Sequence, residues 1–123
     1  MKGFNFLMLV IMMSLGAVSV NAQSAAKEIK NVTPSEFKKL MSEKNVVVLD
    51  VRTPREYASQ QIEGAINIPL NIVAKKAETL DKSKKYLVYC RSGARSRRAS
   101  MILARKGFEI YNLKGGIMAW NKR

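Results

Sequence analysis

Apolar positions along this chain switch between a period of two and a period near 3.6, which predicts alternating strands and helices. Ile29 begins the pattern as part of a short edge strand. Val32-Thr33-Pro34-Ser35-Glu36-Phe37 then combines an N-cap threonine, a proline at the first helical position and a capping-box glutamate, so a helix is predicted to start there. Val32 can staple to Phe37, and Phe37, Leu40 and Met41 share one helical face. Val46-Val47-Val48-Leu49 is an unbroken apolar run, as expected of a strand covered on both sides. Asp50-Val51-Arg52 ends it, and Thr53-Pro54-Arg55-Glu56 repeats the helix-start pattern. Gly64 to Pro69 reads as a short strand stopped by proline, and Leu70 to Leu80 as a helix. Tyr86-Leu87-Val88-Tyr89 is a further central strand. A helix is predicted from Ser96 to Lys106, with Ala99, Ile102 and Leu103 inward and Gly107 as its cap. Phe108 to Leu113 supplies the last strand and Ile117 to Trp120 a closing helix. Alternation of this kind implies an α/β class with a mostly parallel sheet.

The start of the chain belongs to a different pattern. Met1-Lys2-Gly3 carries one positive charge, Phe4 to Val20 is almost entirely apolar, and Val20-Asn21-Ala22 ends in small residues. This is the anatomy of a secretory signal peptide over residues 1–22, cut after Ala22. Residues 23–31 then read as a linker and edge, and residues 32–123 as the folded domain, a size that supports a real core. The apolar run falls short of the roughly 20 residues of a spanning helix. The mature protein is therefore expected in the periplasm or secreted, without a stable membrane anchor.

Charge and rare residues narrow the chemistry. Lys and Arg number 22 against 9 Asp and Glu, for a net charge of +13, so anions are attracted non-specifically. Lys38, Lys39, Lys75, Lys76, Lys82, Lys84 and Lys85 lie near turns or on polar faces with no interleaved aromatic platform, and no nucleic-acid partner is expected. The chain has no histidine, which excludes Ser-His-Asp and Cys-His catalysis and every metal site built on imidazole. No metal and no cofactor are expected. Cys90 is the only cysteine, so neither an internal disulfide nor a two-cysteine redox motif can form.

Cys90 stands where the strand Tyr86–Tyr89 gives way to Arg91-Ser92-Gly93-Ala94-Arg95-Ser96. In an open α/β sheet ligands bind beyond the carboxyl ends of the strands. Gly93 permits the backbone angles of a loop curled around an anion, with its amides turned inward. Amides, a helix N-terminus and the guanidinium groups of Arg91 and Arg95 would favour a thiolate at Cys90, ionised and reachable at neutral pH. A buried structural cysteine is the bland alternative, but the residues that follow are polar, cationic or small. Arg97 and Arg98 fall in the first turn of the predicted helix, where cations oppose the dipole; each is read as pointing to solvent.

Four landmarks together make the chain resemble the single-domain rhodanese family of sulfurtransferases: Asp50-Val51-Arg52 with Glu56-Tyr57; Gly64 to Pro69; the Cys90–Arg95 loop; and Leu113-Lys114-Gly115-Gly116 with Trp120. The resemblance implies a rhodanese-like α/β fold, with a mostly parallel sheet of about five strands flanked by helices on both faces, and the signal-peptide pattern makes it an exported or periplasmic type. It further implies that Cys90 attacks the outer sulfur of an anionic donor such as thiosulfate, forming a persulfide that cyanide, a thiol or a partner protein then discharges. Arg91 and Arg95 would hold the donor, and the N–H groups between Ser92 and Ser96, Gly93 and Ala94 included, would stabilise the persulfide. Asp50 and Arg52 read as a structural ion pair near the site, Glu56 as a capping residue and Trp120 as core. Gln60-Gln61-Ile62-Glu63 departs from the Gly-His-Ile-Pro of many relatives, which bears on packing or donor preference rather than on the nucleophile. Two alternatives stand beside this reading: a non-catalytic rhodanese-like binding module, and a cysteine phosphatase. Phosphatase loops place five residues between Cys and Arg, whereas Cys90 and Arg95 enclose four.

Overall fold

The computed structural model describes residues 26–123. The signal-peptide segment and the expected cut after Ala22 lie outside the described residues. The elements run β1 (Ile29–Val32), α1 (Pro34–Met41), β2 (Val46–Asp50), α2 (Pro54–Ser59), β3 (Ile66–Asn67), α3 (Leu70–Lys76) continued by a 3₁₀ turn (Ala77–Thr79), β4 (Lys85–Tyr89), α4 (Ala94–Arg105), β5 (Glu109–Leu113) and α5 (Gly116–Asn121). The five strands form one sheet in the order β1-β5-β4-β2-β3, every pair parallel. β4 is central, paired with β2 from Val46↔Lys85 to Asp50↔Tyr89 and with β5 from Lys85↔Glu109 to Val88↔Asn112.

Both predicted capping boxes form. Thr33 accepts from the Glu36 amide while Glu36 reaches back to the Thr33 amide, and Thr53 and Glu56 do the same at α2. Each threonine–glutamate pair satisfies donors that the first helical turn cannot pair internally. Proline at the first helical position fixes φ where no N–H is needed.

Alternation along β4 divides the core into two layers. Tyr86, Val88 and Cys90 face one side, where α3 and α4 supply Val73, Ala99, Leu103 and Ala104. Leu87 and Tyr89 face the other, against Phe37 of α1 and Ile117 of α5. Period-2 alternation with both faces covered explains why the strand sequence is apolar throughout. The helix after β2 leads to β3 and the helix after β4 leads to β5, so the chain departs in opposite directions from two neighbouring strands. The crevice between the carboxyl ends of β2 and β4 is thus a topological switch point, where open α/β sheets bind their ligands.

Several details differ from the sequence expectation. α4 begins at Ala94 rather than Ser96, because Gly93 takes φ +119 and turns the chain directly into the helix. α3 gives way to the 3₁₀ turn at Ala77 before reaching Leu80. The inward face of α1 is Phe37 alone, with Leu40 and Met41 only partly buried against the core.

Phe37 is fully buried and meets Tyr89 and Trp120 edge-on, at ring-centroid distances of 6.4 and 5.8 Å. Removing a buried phenylalanine leaves a cavity and loses its transfer free energy, typically about 3–5 kcal/mol in total. Phe37→Ala is expected to lower unfolding stability by about that amount in urea titration. A loss under about 1 kcal/mol would mean that this layer collapses freely around the gap.

Candidate active site

The carboxyl end of β4 delivers Cys90 into a short loop that closes on its own sulfur. The Gly93 amide donates to Sγ at 3.0 Å. Burial pushes the Cys90 thiol up, but hydrogen bonding from the Ser96 hydroxyl and from the amides of Ser96, Gly93 and Ser92 outweighs it, and the thiol titrates below its ordinary value. Ser96 is fully buried, with the Gly93 carbonyl 3.2 Å from its hydroxyl as the alternative acceptor for the single proton. Gly93 makes the hydrogen bond to sulfur, and Ser96 and Ser92 lower the thiol further; Ala94 is exposed at the first position of α4.

The expectation of a freely reachable sulfur is corrected: Cys90 is 1 % exposed. Its side chain belongs to the layer of Val88, Val73 and Ala99, and α5 fixes the loop backbone from the other side. α5 starts with Gly115 and Gly116 in the left-handed region and presses on the loop backbone. The Ile117 and Met118 amides donate to the carbonyls of Cys90 and Arg91 at 2.9 and 3.1 Å. A Cβ on Gly116 would collide with both of those carbonyls, so only glycine permits this approach. The sulfur sits on the floor of the loop, whose Arg91, Ser92 and Ala94 are exposed to solvent.

Arg95 does not stand free to hold a donor. Its two terminal nitrogens donate to the two Glu56 oxygens at 2.6 and 2.9 Å. This bidentate pair, aided by the Thr53 amide and hydroxyl, pulls Glu56 from 4.5 down to about 2. Glu56 also raises the Arg95 guanidinium, and the Cys90 charge adds to that effect, so Arg95 lies within electrostatic reach of the sulfur. Glu56 is therefore more than a cap. Because α4 starts at Ala94, Arg95, not Arg97 or Arg98, occupies the first turn, and Glu56 offsets its conflict with the helix dipole.

The Asp50–Arg52 ion pair expected from the sequence is present at 2.7 Å, with side chains 0 % and 5 % exposed. Asp50 also accepts from the Arg52 amide at 2.9 Å and from the Tyr89 hydroxyl at 2.7 Å. The Ile62 amide donates to that hydroxyl at 3.0 Å. Arg52 reaches the Gln60 carbonyl as well, and Asn67 binds the carbonyls of Asp50 and Arg52 at 3.0 Å each. The network pins the segment after β2 against β3 and β4. Tyr89, whose phenol is pushed up by burial and then by Asp50, was legible in the sequence only as core. Gln61 is exposed, clear of this network.

Two hollows flank the Arg95–Glu56 pair. The larger, about 820 Å³, is walled by Val51, Pro54, Pro69, Leu70, Ile72 and Ile102 and carries Arg52, Arg95 and Arg98. The smaller, about 420 Å³, is more polar and includes Arg52, Arg55, Glu56, Gln60 and Arg91. Arg98 is exposed, as read from the sequence, and also lines the first. Among the described residues no group of three or more His, Cys, Asp or Glu is placed to hold a metal ion, and no helix is long and apolar enough to cross a membrane.

An isolated Glu56 would keep its stabilising charge only above its ordinary pKa of 4.5, whereas in the fold it stays ionised down to about 2. The pair's contribution is complete above pH 4.5 and is lost as pH falls toward 2. Glu56→Gln is expected to flatten the decline in unfolding stability across that window, by roughly 1 kcal/mol for a partly exposed pair. An unchanged decline would show that the bridge contributes nothing.

Residues 33–123 match the rhodanese-like domain family. The chain is 38 % identical over 94 residues to the putative sulfurtransferase YtwF of Bacillus subtilis, covering 76 % of this chain and 91 % of that protein. It is 36 % identical over 83 residues to a sulfurtransferase of Allochromatium vinosum, covering 67 % and 78 %. In structure it resembles a rhodanese-related protein from Thermoplasma volcanium, with a TM-score of 0.70 and 33 % identity over 76 % of this chain and 91 % of that one. The chain belongs to the rhodanese-like domain family.

Proposed function

We propose that the protein is a sulfurtransferase that carries a sulfane sulfur on Cys90. The observation that carries this reading is the cradle around Sγ, where the amides of Ser92, Gly93 and Ser96 and the Ser96 hydroxyl favour the thiolate despite burial. A thiolate held by amides needs no general base, in keeping with a chain that has no histidine. The names of the two sulfurtransferase relatives support the same class.

In the proposed reaction the Cys90 thiolate attacks the outer sulfur of thiosulfate. A new S–S bond forms to Sγ, the S–S bond of thiosulfate breaks, and sulfite leaves with its electron pair. The persulfide anion extends into the amides that held the thiolate. Exposed Arg91 and the more polar hollow receive the departing anion, while Arg95, fixed by Glu56, adds its field at the loop. The donor enters through the exposed Arg91–Ser92 segment. A nucleophilic acceptor then takes the terminal sulfur and regenerates the thiolate. The proposal includes export, on the strength of residues 1–22.

Incubation with thiosulfate followed by intact-mass measurement tests this. The wild-type chain is expected to gain one sulfur atom and lose it on adding cyanide, and Cys90→Ser to gain none. A wild type that gains nothing, or one that hydrolyses phosphate esters through Cys90 instead, overturns the reading.

A further inference from the structure

α3 and α4 lie side by side over one face of the sheet, and the surface they turn outward carries one sign of charge. Their inner sides supply Val73, Ala99, Leu103 and Ala104 to the core. Their exposed sides carry Lys75 and Lys76 on α3, and Arg98 and Arg105 on α4. None of these four belongs to an ion pair among the described residues. Neither helix contains an Asp or a Glu; the adjoining carboxylate is Glu78, exposed in the 3₁₀ turn after α3. Two apolar side chains stand among the cations, Ile72 at 38 % exposed and Met101 at 41 %. Arg98, Met101 and Arg105 follow one another at spacings of three and four, so they form one outward ridge.

Lys75, Lys76 and Arg105 sit in the last turns of their helices, where a cation complements the dipole. That explanation does not reach Arg98, in the second turn of α4, or the exposure of Ile72 and Met101. Cations around projecting apolar side chains suit the surface of an anionic bilayer, where headgroups attract the charges and apolar tips enter the acyl boundary. A protein partner would need an apolar core sealed from water, which two isolated residues do not supply. The route of the chain points the same way. The Lys27 amide donates to the Ala104 carbonyl at 2.9 Å, so the chain enters the fold at the last turn of α4, beside Arg105. From Val20, the end of the apolar stretch, to Lys27 is seven residues, a reach of at most roughly 25 Å.

We propose that the α3–α4 face docks on the surface of an anionic lipid bilayer, with Lys75, Lys76, Arg98 and Arg105 over the headgroups and Ile72 and Met101 at the acyl boundary. The inference goes beyond the sulfurtransferase reading and does not depend on the chemistry at Cys90. In the export reading, the Phe4–Val20 stretch brings the domain to a membrane and this face holds it there after the cut.

Residues 23–123 hold every strand and both core layers, so they fold as a unit and separate the face from the apolar stretch. Sedimentation of this chain with vesicles tests the proposal, using phosphatidylcholine alone and phosphatidylcholine mixed with phosphatidylglycerol. The chain is expected to bind the anionic vesicles, to leave them at high salt and to ignore the neutral ones. Each cation held near the surface is worth about fivefold in partitioning. The double variant Arg98→Gln, Arg105→Gln should therefore lose about 25-fold. The double variant Lys38→Gln, Lys39→Gln removes the same charge from α1, which packs on the opposite layer, and should lose less than about threefold. Met101→Gln should lose about threefold at unchanged charge. Thermal unfolding checks that each variant stays folded. Equal losses from the two double variants would reduce the effect to overall charge and overturn the inference. Equal binding to neutral vesicles, or no binding to anionic ones, overturns it too. Poly-glutamate is the last arm: association with it through Arg98 and Arg105, without vesicle binding, assigns the face to an acidic polypeptide and overturns the lipid surface.

Discussion

An ionised sulfur loses solvation when it is buried, and at Cys90 that loss is offset by a fixed set of donors. The Gly93 amide donates to a sulfur that is 1 % exposed, and Ser96 and Ser92 add to its lowering of the thiol. In a poorly solvated site each such donor acts more strongly than it would in water, and the same environment makes an unpaired anion costly. The loop must therefore hold its shape. Gly93 supplies the left-handed turn, α4 begins immediately after it, and α5 closes on the loop carbonyls through Ile117 and Met118. Gly116 makes that approach sterically possible.

The segment after β2 provides the other half of the crevice. A buried Asp50–Arg52 pair has value only if its remaining donors and acceptors are satisfied. Here the Tyr89 hydroxyl and the Gln60 carbonyl do so, and Asn67 ties down the backbone carbonyls of both residues. The network fixes Arg52 and the start of α2, and α2 in turn presents Glu56 to Arg95. Two elements distant in sequence are thereby locked across the switch point. Arg95 remains near the sulfur with its charge balanced by Glu56, while Arg98, on the wall of the neighbouring hollow, forms no ion pair among the described residues.

Much of the framework was legible from local pattern. The strand periods, both capping boxes and the position of Cys90 at a strand end follow from residue types at fixed offsets, and the structure places them accordingly. The Asp50–Arg52 pair was readable because its members are two residues apart. Long-range partners were not. Glu56 was fully explained by its capping role, so nothing local pointed to Arg95, 39 residues away. The start of α4 was set two residues late because the loop motif was read as unstructured through Arg95. Burial of Cys90 escaped notice because its side chain joins the layer packed by α3 and α4, a tertiary contact that the polar residues following it do not signal.

The central claim is that donors around a buried sulfur favour its thiolate over the thiol, and the pH dependence of Cys90 ionisation tests it directly. Ultraviolet thiolate absorbance and the rate of alkylation by iodoacetamide report the same titration in the folded chain. The account predicts a midpoint below the ordinary thiol value of about 8.5, moved upward by Ser96→Ala. A midpoint at or above that value in the wild type, or a folded protein whose sulfur never alkylates, would contradict it.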